Sequence, residues 1–352
     1  AISRLLGQGH LEELLENKIA ENSARGGGDT IAVERNVQTL QLIMRSNSTS
    51  QSSIGADKSN HDVDTAYHVE VRIRHGMSGE LEIVRAKYVI GADGAKSWTR
   101  RQLNIAMKGD RTDEPWGVID ILPLSNFPDI RQTCVVQSRR GSIHVVPREA
   151  KLVRLYVQLD EVYSGVERSQ ITASMILSAA RRIFHPFRLE CSRVDWWSAY
   201  HVGQRLADTF SSAEMRVFLV GDAIHTHSPK IGQGMNVSMQ DSYNLAWKIC
   251  CVLKGYLPHR ILASFEEERR PVAEQLLRAD LVTVEFYKSR VGDGADTASQ
   301  SDLQAFRNSL YAFISGVAVV YAPGYLVYKA DSRGPSSGVV NSQKKEDNTH
   351  EK

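Results

Sequence analysis

Apolar and polar positions along the chain follow two periods, one helical and one of strands. Leu5, Leu11, Leu14, Leu15 and Ile19 recur at helical spacing beside charged residues, which predicts a helix over Leu5–Glu21. Val33, Val37 and Leu40–Met44 predict strand material between Thr30 and Arg45. Residues 46–66 are rich in Ser, Asn, Asp and Gly with almost no apolar content, the composition of a polar or disordered loop. Tyr67–Arg74 alternates, Gly76–Gly79 supplies a turn and Leu81–Ile90 returns, so a hairpin running into a buried strand is expected. Strands dominate again over 116–160. There Val153, Leu155, Val157 and Leu159 alternate with Arg154, Tyr156 and Gln158, which puts the polar three on one face. Gly141–Pro147 is the expected partner strand, joined through the Arg148–Lys151 turn. With that pairing His144, Arg148, Arg154 and Tyr156 project from the same face.

Residues 166–185 read as a helix, and Arg216–Val220 as a short apolar strand. A Gly-containing loop follows, then a long helix from about Asn236 to Leu253 that stops at Lys254-Gly255. Ser264 and Glu267 form an S-x-x-E capping-box pattern for another helix, with Pro271 in its first turns or kinking it. The polar stretch from Arg333 to Lys352 is expected to be disordered. Elements of both kinds alternate, which makes the fold class mixed α/β.

Charge then narrows the functional classes. With 43 Lys+Arg against 41 Asp+Glu, nothing favours a nucleic-acid or anionic-membrane partner. No apolar run reaches the ~18–20 residues of a membrane span. Cys134, Cys191, Cys250 and Cys251 form no CxxC pair, so free thiols in a reducing, cytoplasmic compartment are expected. His225 and His227 lack carboxylate or cysteine partners at useful spacing, so no metal site is expected.

The chemistry concentrates in Val217-Phe218-Leu219-Val220-Gly221-Asp222-Ala223-Ile224-His225. An apolar strand ending in Gly-Asp delivers a carboxylate to the carboxyl end of a strand, where α/β folds place ligands. Such a carboxylate can accept hydrogen bonds from a ribose or ribityl diol, although Gly-Asp alone is equally an ordinary strand-to-helix turn. Pro229, Gly232, Gln233, Gly234, Met235 and Asn236 follow. The glycines let the backbone approach a flat ligand, and a helix N-terminus beyond them offers unpaired N–H groups. The whole run G-D-A-x-H-x-H-x-P-x-x-G-x-G-x-N resembles the second FAD-binding motif of the p-hydroxybenzoate hydroxylase-like flavoprotein monooxygenases. A second stretch, Tyr88 to Arg100, contains D-G-x-x-S-x-x-R from Asp93 and resembles that family's other fingerprint, near the FAD pyrophosphate and the route of the nicotinamide cofactor. The 129 residues separating Asp93 from Asp222 leave room for the family's inserted substrate domain.

Between 116 and 160 the resemblance narrows to the fungal phenol 2-monooxygenase branch, carried by Trp116–Asp120, Phe127–Arg131, Val146–Glu149 and Leu152–Gln158. It implies that Tyr156 bonds the phenol oxygen, that Arg148 and Arg154 lie at flavin and substrate, and that Gln8 opens a helix touching the flavin. Without it, the Arg/Tyr/Gln stripe would read as a solvated face. The implied fold is an FAD-binding Rossmann-like domain with an inserted β-sheet substrate domain. Its segments are 1–105 (FAD-binding, partial), 106–212 (substrate sheet), 213–265 (FAD-binding, second segment), 266–329 (helical substrate-side segment) and 330–352 (tail). The implied activity is hydroxylation of a phenolic substrate with FAD, NADPH and O2 through a C4a-hydroperoxyflavin, in a protein for which a homodimer is allowed.

The family's opening strand with G-x-G-x-x-G has no counterpart here, because Gly26-Gly27-Gly28 lacks a preceding apolar strand. The thioredoxin-like C-terminal domain of the phenol branch is also not found, so the resemblance covers roughly residues 1–329. A truncated, non-catalytic remnant that cannot retain FAD is therefore the rival expectation. Epoxidation or halogenation on the same fold is a third, disfavoured by the lack of a W-x-W-x-I-P signature.

Overall fold

The computed structural model of the chain describes residues 8–25, 31–45, 67–159, 166–288, 305, 308, 310–316 and 319–327. The first elements are helix α1 (Gln8–Arg25), strands β1 (Val37–Met44), β2 (Val69–His75), β3 (Leu81–Ala86) and β4 (Val89–Gly91), and the short helix α2 (Trp98–Gln102). A strand-rich middle follows: β5 (Met107–Ser125), β6 (Cys134–Ser138), β7 (Gly141–Pro147), β8 (Val153–Gln158), helix α3 (Ala173–Phe184) and β9 (Leu189–Ala207). Next come β10 (Val217–Leu219), β11 (His225–Thr226), and helices α4 (Gly234–Leu253) and α5 (Ser264–Lys288). The expected polar loop at 46–66, the glycines at 26–28 and the expected tail at 330–352 lie outside the described residues.

The strands form three sheets. β1-β2-β3 is antiparallel, β4 and β10 pair parallel, and the third sheet runs β11-β9-β5-β8-β7-β6. Its spine is the antiparallel β5–β9 pair, nineteen residues each, with register shifts at Arg111/Pro115, Asp120/Ile121 and Leu122/Pro123. Such irregularities bend a strand and raise its twist. One face is apolar and buried: Ile119, Ile121, Ile143, Val145, Val153, Leu155 and Val157 pack on Ile176, Ala180, Ile183 and Phe184 of α3. Helix α3 is capped by Thr172, whose hydroxyl accepts from the Met175 amide at 3.4 Å. It seats close at Gly117, where an added Cβ would lie 2.6 Å from Ile176 Cγ1. A second core gathers Phe210, Phe218, Leu219, Leu245, Ile249, Ile261 and Phe265 around β10, α4 and α5.

The β7–β8 hairpin has the expected register, with His144 opposite Tyr156 and Val146 opposite Arg154. Four expectations change. The stretch 166–185 is not one helix, because a 3-10 turn at Arg168–Gln170 precedes the capped start of α3. The long helix begins at Gly234 rather than Asn236, since Gln233 already has near-helical dihedrals and its carbonyl accepts from the Val237 amide. The capping box does not form. A 3-10 turn over His259–Ala263 runs straight into α5, so Ser264 is itself helical and its hydroxyl donates backward to the Ile261 carbonyl at 2.7 Å. Nor does the hairpin run into a buried strand: β3 is an edge strand with Leu81 and Ile83 exposed, and Ile90 of β4 is also exposed. Pro271 lies inside α5. No helix among the described residues is long and apolar enough to cross a membrane.

Gly117→Ala is expected to destabilise the fold by about 1–3 kcal/mol, the scale of an overpacked core. Chemical denaturation checks this, and an unchanged midpoint would contradict the close seat of α3.

Candidate active site

The two glycine–aspartate motifs lie side by side because β4 and β10 are parallel neighbours. Leu219 aligns with Gly91, and the Val220 amide donates to the Gly91 carbonyl at 3.1 Å. Both chains therefore emerge at the same carboxyl edge. After β10 the backbone turns at Gly221 with φ +60°, and a Cβ there would come within 2.9 Å of Ser238. Glycine is needed on both counts. The turn leaves Asp222 exposed. Beneath it the buried Asp241 accepts from the Gly221 amide (3.3 Å), the His225 ring (Nε2, 2.8 Å) and Arg269 Nε (2.7 Å).

Asp93 is held just as firmly. Its carboxylate accepts from the Thr99 amide (2.8 Å), the Thr99 hydroxyl (2.9 Å) and the Ser97 hydroxyl. Burial pushes its pKa up, but the Ser97 and Thr99 hydrogen bonds outweigh that and hold the carboxyl below its ordinary range. The buried Arg100 then ties the two motifs together. Its guanidinium donates to the carbonyls of Ala223 (2.8 Å) and Ala95 (2.9 Å), spanning from the Asp93 turn to the residue after Asp222.

The loop that follows is compact. Pro229–Ile231 forms a 3-10 turn, with the Gly232 amide donating to the Pro229 carbonyl at 3.0 Å. Gly232 is exposed at positive φ, Gln233 is buried, Met235 is half-buried, and exposed Asn236 donates from Nδ2 to the Gly232 carbonyl at 3.1 Å. A Cβ on Gly234 would sit 3.2 Å from His227 Nε2. The first amides of the twenty-residue α4 open onto this loop without intrahelical partners. An exposed carboxylate beside a glycine-rich helix N-terminus is a donor and acceptor set that fits the ribityl and flavin half of FAD.

The polar residues expected at the substrate cluster on the sheet face opposite α3. Arg154 donates twice to Asp120 on β5, Nε to Oδ1 and Nη2 to Oδ2, both at 2.7 Å, and its guanidinium lies 5.2 Å above the Trp196 ring. Burial disfavours the Arg154 charge, yet the bonds to Asp120 and to the Tyr156 hydroxyl raise its pKa further. His144 stacks on Tyr156 at 5.9 Å, and burial lowers its pKa to about 4. Arg148 pairs with its neighbour Glu149 (2.9 and 3.1 Å) and lies 3.9 Å from Asp120. That bond to Arg148 brings the Glu149 pKa down to about 2, with a smaller contribution from His10. His10 is two residues into α1 from Gln8, so the exposed start of that helix lies electrostatically within reach of Arg148 and Glu149.

Sequence reading overlooked three residues that complete this arrangement. Asp120 was hidden because its partner, Arg154, is a cross-strand neighbour 34 positions away. Tyr200 on β9 lies opposite Trp116, and its buried hydroxyl has no hydrogen-bond partner among the described residues. Burial first, then the fields of Tyr156 and Asp280, raise its pKa well above normal, against the pull of Arg154. Asp280 on α5 bonds Ser228 and Gln204. His227, next to Ser228, is kept below its ordinary range by burial, against Asp280 and the Ser228 carbonyl that its Nδ1 contacts at 2.6 Å. His225 thus ties the loop to Asp241 of α4, and His227 bonds within the loop.

Comparison with known proteins shows the family. A family model described as an FAD binding domain matches residues 28–280. Phenol 2-monooxygenase of Aspergillus fumigatus is 43% identical over 277 residues, covering 78% of this chain and 46% of that protein. The 3-hydroxybenzoate 4-monooxygenase of Comamonas testosteroni is 37% identical over 275 residues, covering 74% and 43% respectively. The chain thus spans less than half the length of these two relatives. Among solved structures, the anhydrotetracycline hydroxylase of Streptomyces rimosus superposes with a TM-score of 0.68 at 24% identity, over 90% of this chain and 58% of that one, a likeness of fold.

His144 provides a pH test. Its folded pKa of about 4 lies below the unfolded value of 6.5, so the unfolded chain binds the proton first. Its contribution to stability is complete above pH 6.5 and is lost as pH falls towards 4. His144→Gln is expected to flatten the stability–pH curve in that window, measured by denaturant titration at each pH; an unaltered slope would refute it.

Proposed function

Because the chain belongs to the FAD-binding family of flavin-dependent aromatic monooxygenases, we propose that it hydroxylates a phenolic or related aromatic ring using NAD(P)H and O2. One oxygen atom forms the new ring C–O bond and the other leaves as water, with NAD(P)H giving up two electrons. Bound FAD would supply the oxygen-activating redox chemistry, which no side chain here can provide. One observation carries the reading: a half-buried tyrosine, hydrogen-bonded to a paired arginine, lies on the sheet whose β9 strand pairs with His225–Thr226 of the Gly221–Asn236 loop.

In this reading Tyr156 holds the phenol oxygen, and Arg154 beside it favours the oxyanion form that makes the ring nucleophilic. Asp120 keeps Arg154 extended and charged, so the guanidinium can act on Tyr156 without reorganising. Arg148, tied to Glu149, borders the same face. The stacked His144 stays neutral and helps to exclude water. Asp222 would accept from the ribityl chain, and the backbone from Gly232 to Asn236, with its amides beyond Gly232, would meet the flavin edge that becomes electron-rich on reduction. Pro229 would shape that loop, while Gln8 and Asp93 would border the cofactor, Asp93 on the side where NADPH enters.

Tyr156→Phe in the intact protein is expected to lower product formed per NAD(P)H oxidised by about tenfold or more, the scale of one lost hydrogen bond to a charged group. A full hydroxylation rate in that variant would reject the role of Tyr156. Asp222→Ala is expected to weaken FAD binding by about tenfold on the same scale, read by flavin fluorescence. Intact protein with neither flavin absorbance nor NAD(P)H oxidation would reject the function itself.

A further inference from the structure

Asp280 is a fully buried carboxylate with no cation paired to it among the described residues. An unpaired buried charge is costly unless hydrogen bonds satisfy it. Here three do. The Ser228 amide donates at 2.7 Å and Gln204 Nε2 at 2.8 Å, both to Oδ2, while the Ser228 hydroxyl bonds Oδ1.

These donors come from the two halves of the candidate site. Ser228 directly precedes Pro229, where the glycine-rich loop begins. Gln204 is on β9, four residues beyond Tyr200, which borders Tyr156 and Arg154 electrostatically. Asp280 itself belongs to α5, whose Leu276 and Ala279 pack with Ile231 and Val237 under the same loop. No other carboxylate among the described residues bonds both the loop and β9.

We propose that Asp280 is a positioning residue that clamps the Ser228–Asn236 loop to β9, and so sets how FAD and the aromatic ring are presented to each other. The FAD and substrate part rests on the function proposed above; the clamp itself does not.

Two substitutions separate hydrogen bonding from charge. Asp280→Ala leaves the Ser228 amide and Gln204 Nε2 without their acceptor. Asp280→Asn can keep its oxygen at the Oδ2 position, where it accepts from both the Ser228 amide and Gln204 Nε2, while its NH2 takes the place of Oδ1 and donates to the Ser228 hydroxyl, which turns from donor to acceptor.

Hydrogen exchange on the full chain without flavin reads the clamp directly. Asp280→Ala is expected to speed exchange over 226–236 by about tenfold, the scale of a lost buried hydrogen bond, while the β8 amides keep their protection. Asp280→Asn should stay near the native rate. In the FAD-loaded intact protein, Asp280→Ala should also divert NAD(P)H oxidation from product to hydrogen peroxide with little change in substrate KM. Native exchange over 226–236 in Asp280→Ala would overturn the proposal, as would Asp280→Asn losing as much protection as the alanine variant. Should Asp280→Ala fail to fold, Ser228→Ala, which removes one of the three bonds, must show a smaller rise in the same segment, and an unchanged rate there would overturn it. A protein that binds no FAD would defeat the proposed function, and exchange alone would then decide the clamp.

Discussion

The placement of Asp222 depends on a carboxylate that never meets solvent. Asp241 accepts at once from the Gly221 turn, from His225 just after it and from Arg269 on α5, and both partners of the Arg269–Asp241 pair are almost wholly buried. Arg269 reaches on to Gln240 and to the Tyr321 hydroxyl, so a late segment of the chain is drawn into the same network. Breaking such a pair strands a charge in the interior, typically at about 3–5 kcal/mol. The exposed turn is thus anchored from below by bonds whose geometry allows little drift. A second buried pair, Lys248–Glu268 with Asn244, repeats the device one step along the interface of α4 and α5.

The long antiparallel pair solves a different problem. In the proposed function the cofactor and the aromatic ring would have to keep a fixed separation, and a continuous strand transmits position better than a loop. β9 is bonded along its length to β5, which carries Asp120, and near its end to His225–Thr226. One backbone ladder therefore spans from the Arg154–Asp120 pair to the turn beneath Asp222. Arg100 does the same for the two glycine–aspartate motifs, through carbonyl oxygens rather than charges.

Much of this was legible in the sequence. The alternation of Val153, Leu155 and Val157 with Arg154 and Tyr156 fixed the face of the hairpin, because period two leaves only one register with a buried side. The Gly-Asp and Asp-Gly motifs were legible because their glycines mark turns. The acidic partners were not. Asp241 and Asp280 sit in helices, where a lone carboxylate normally reads as part of a solvated surface, and their donors come from 16 to 76 positions away. The misread capping box at Ser264 has the same origin: whether a serine caps a helix depends on the backbone before it, and a 3-10 turn leaves no periodic trace.

Gly117 has an implication for how such proteins diversify. Its missing side chain lets α3 press directly on one side of the sheet, so every second residue of β5, β7 and β8 is committed to that contact. The residues between them, Asp120, His144, Arg154 and Tyr156 among them, lie on the opposite side with the buried Trp116 and Val118. In the proposed function, packing and recognition of the ring would thereby fall on opposite faces of the same strands. A change at Tyr156 or His144 would then alter what the sheet presents without touching the contact with α3.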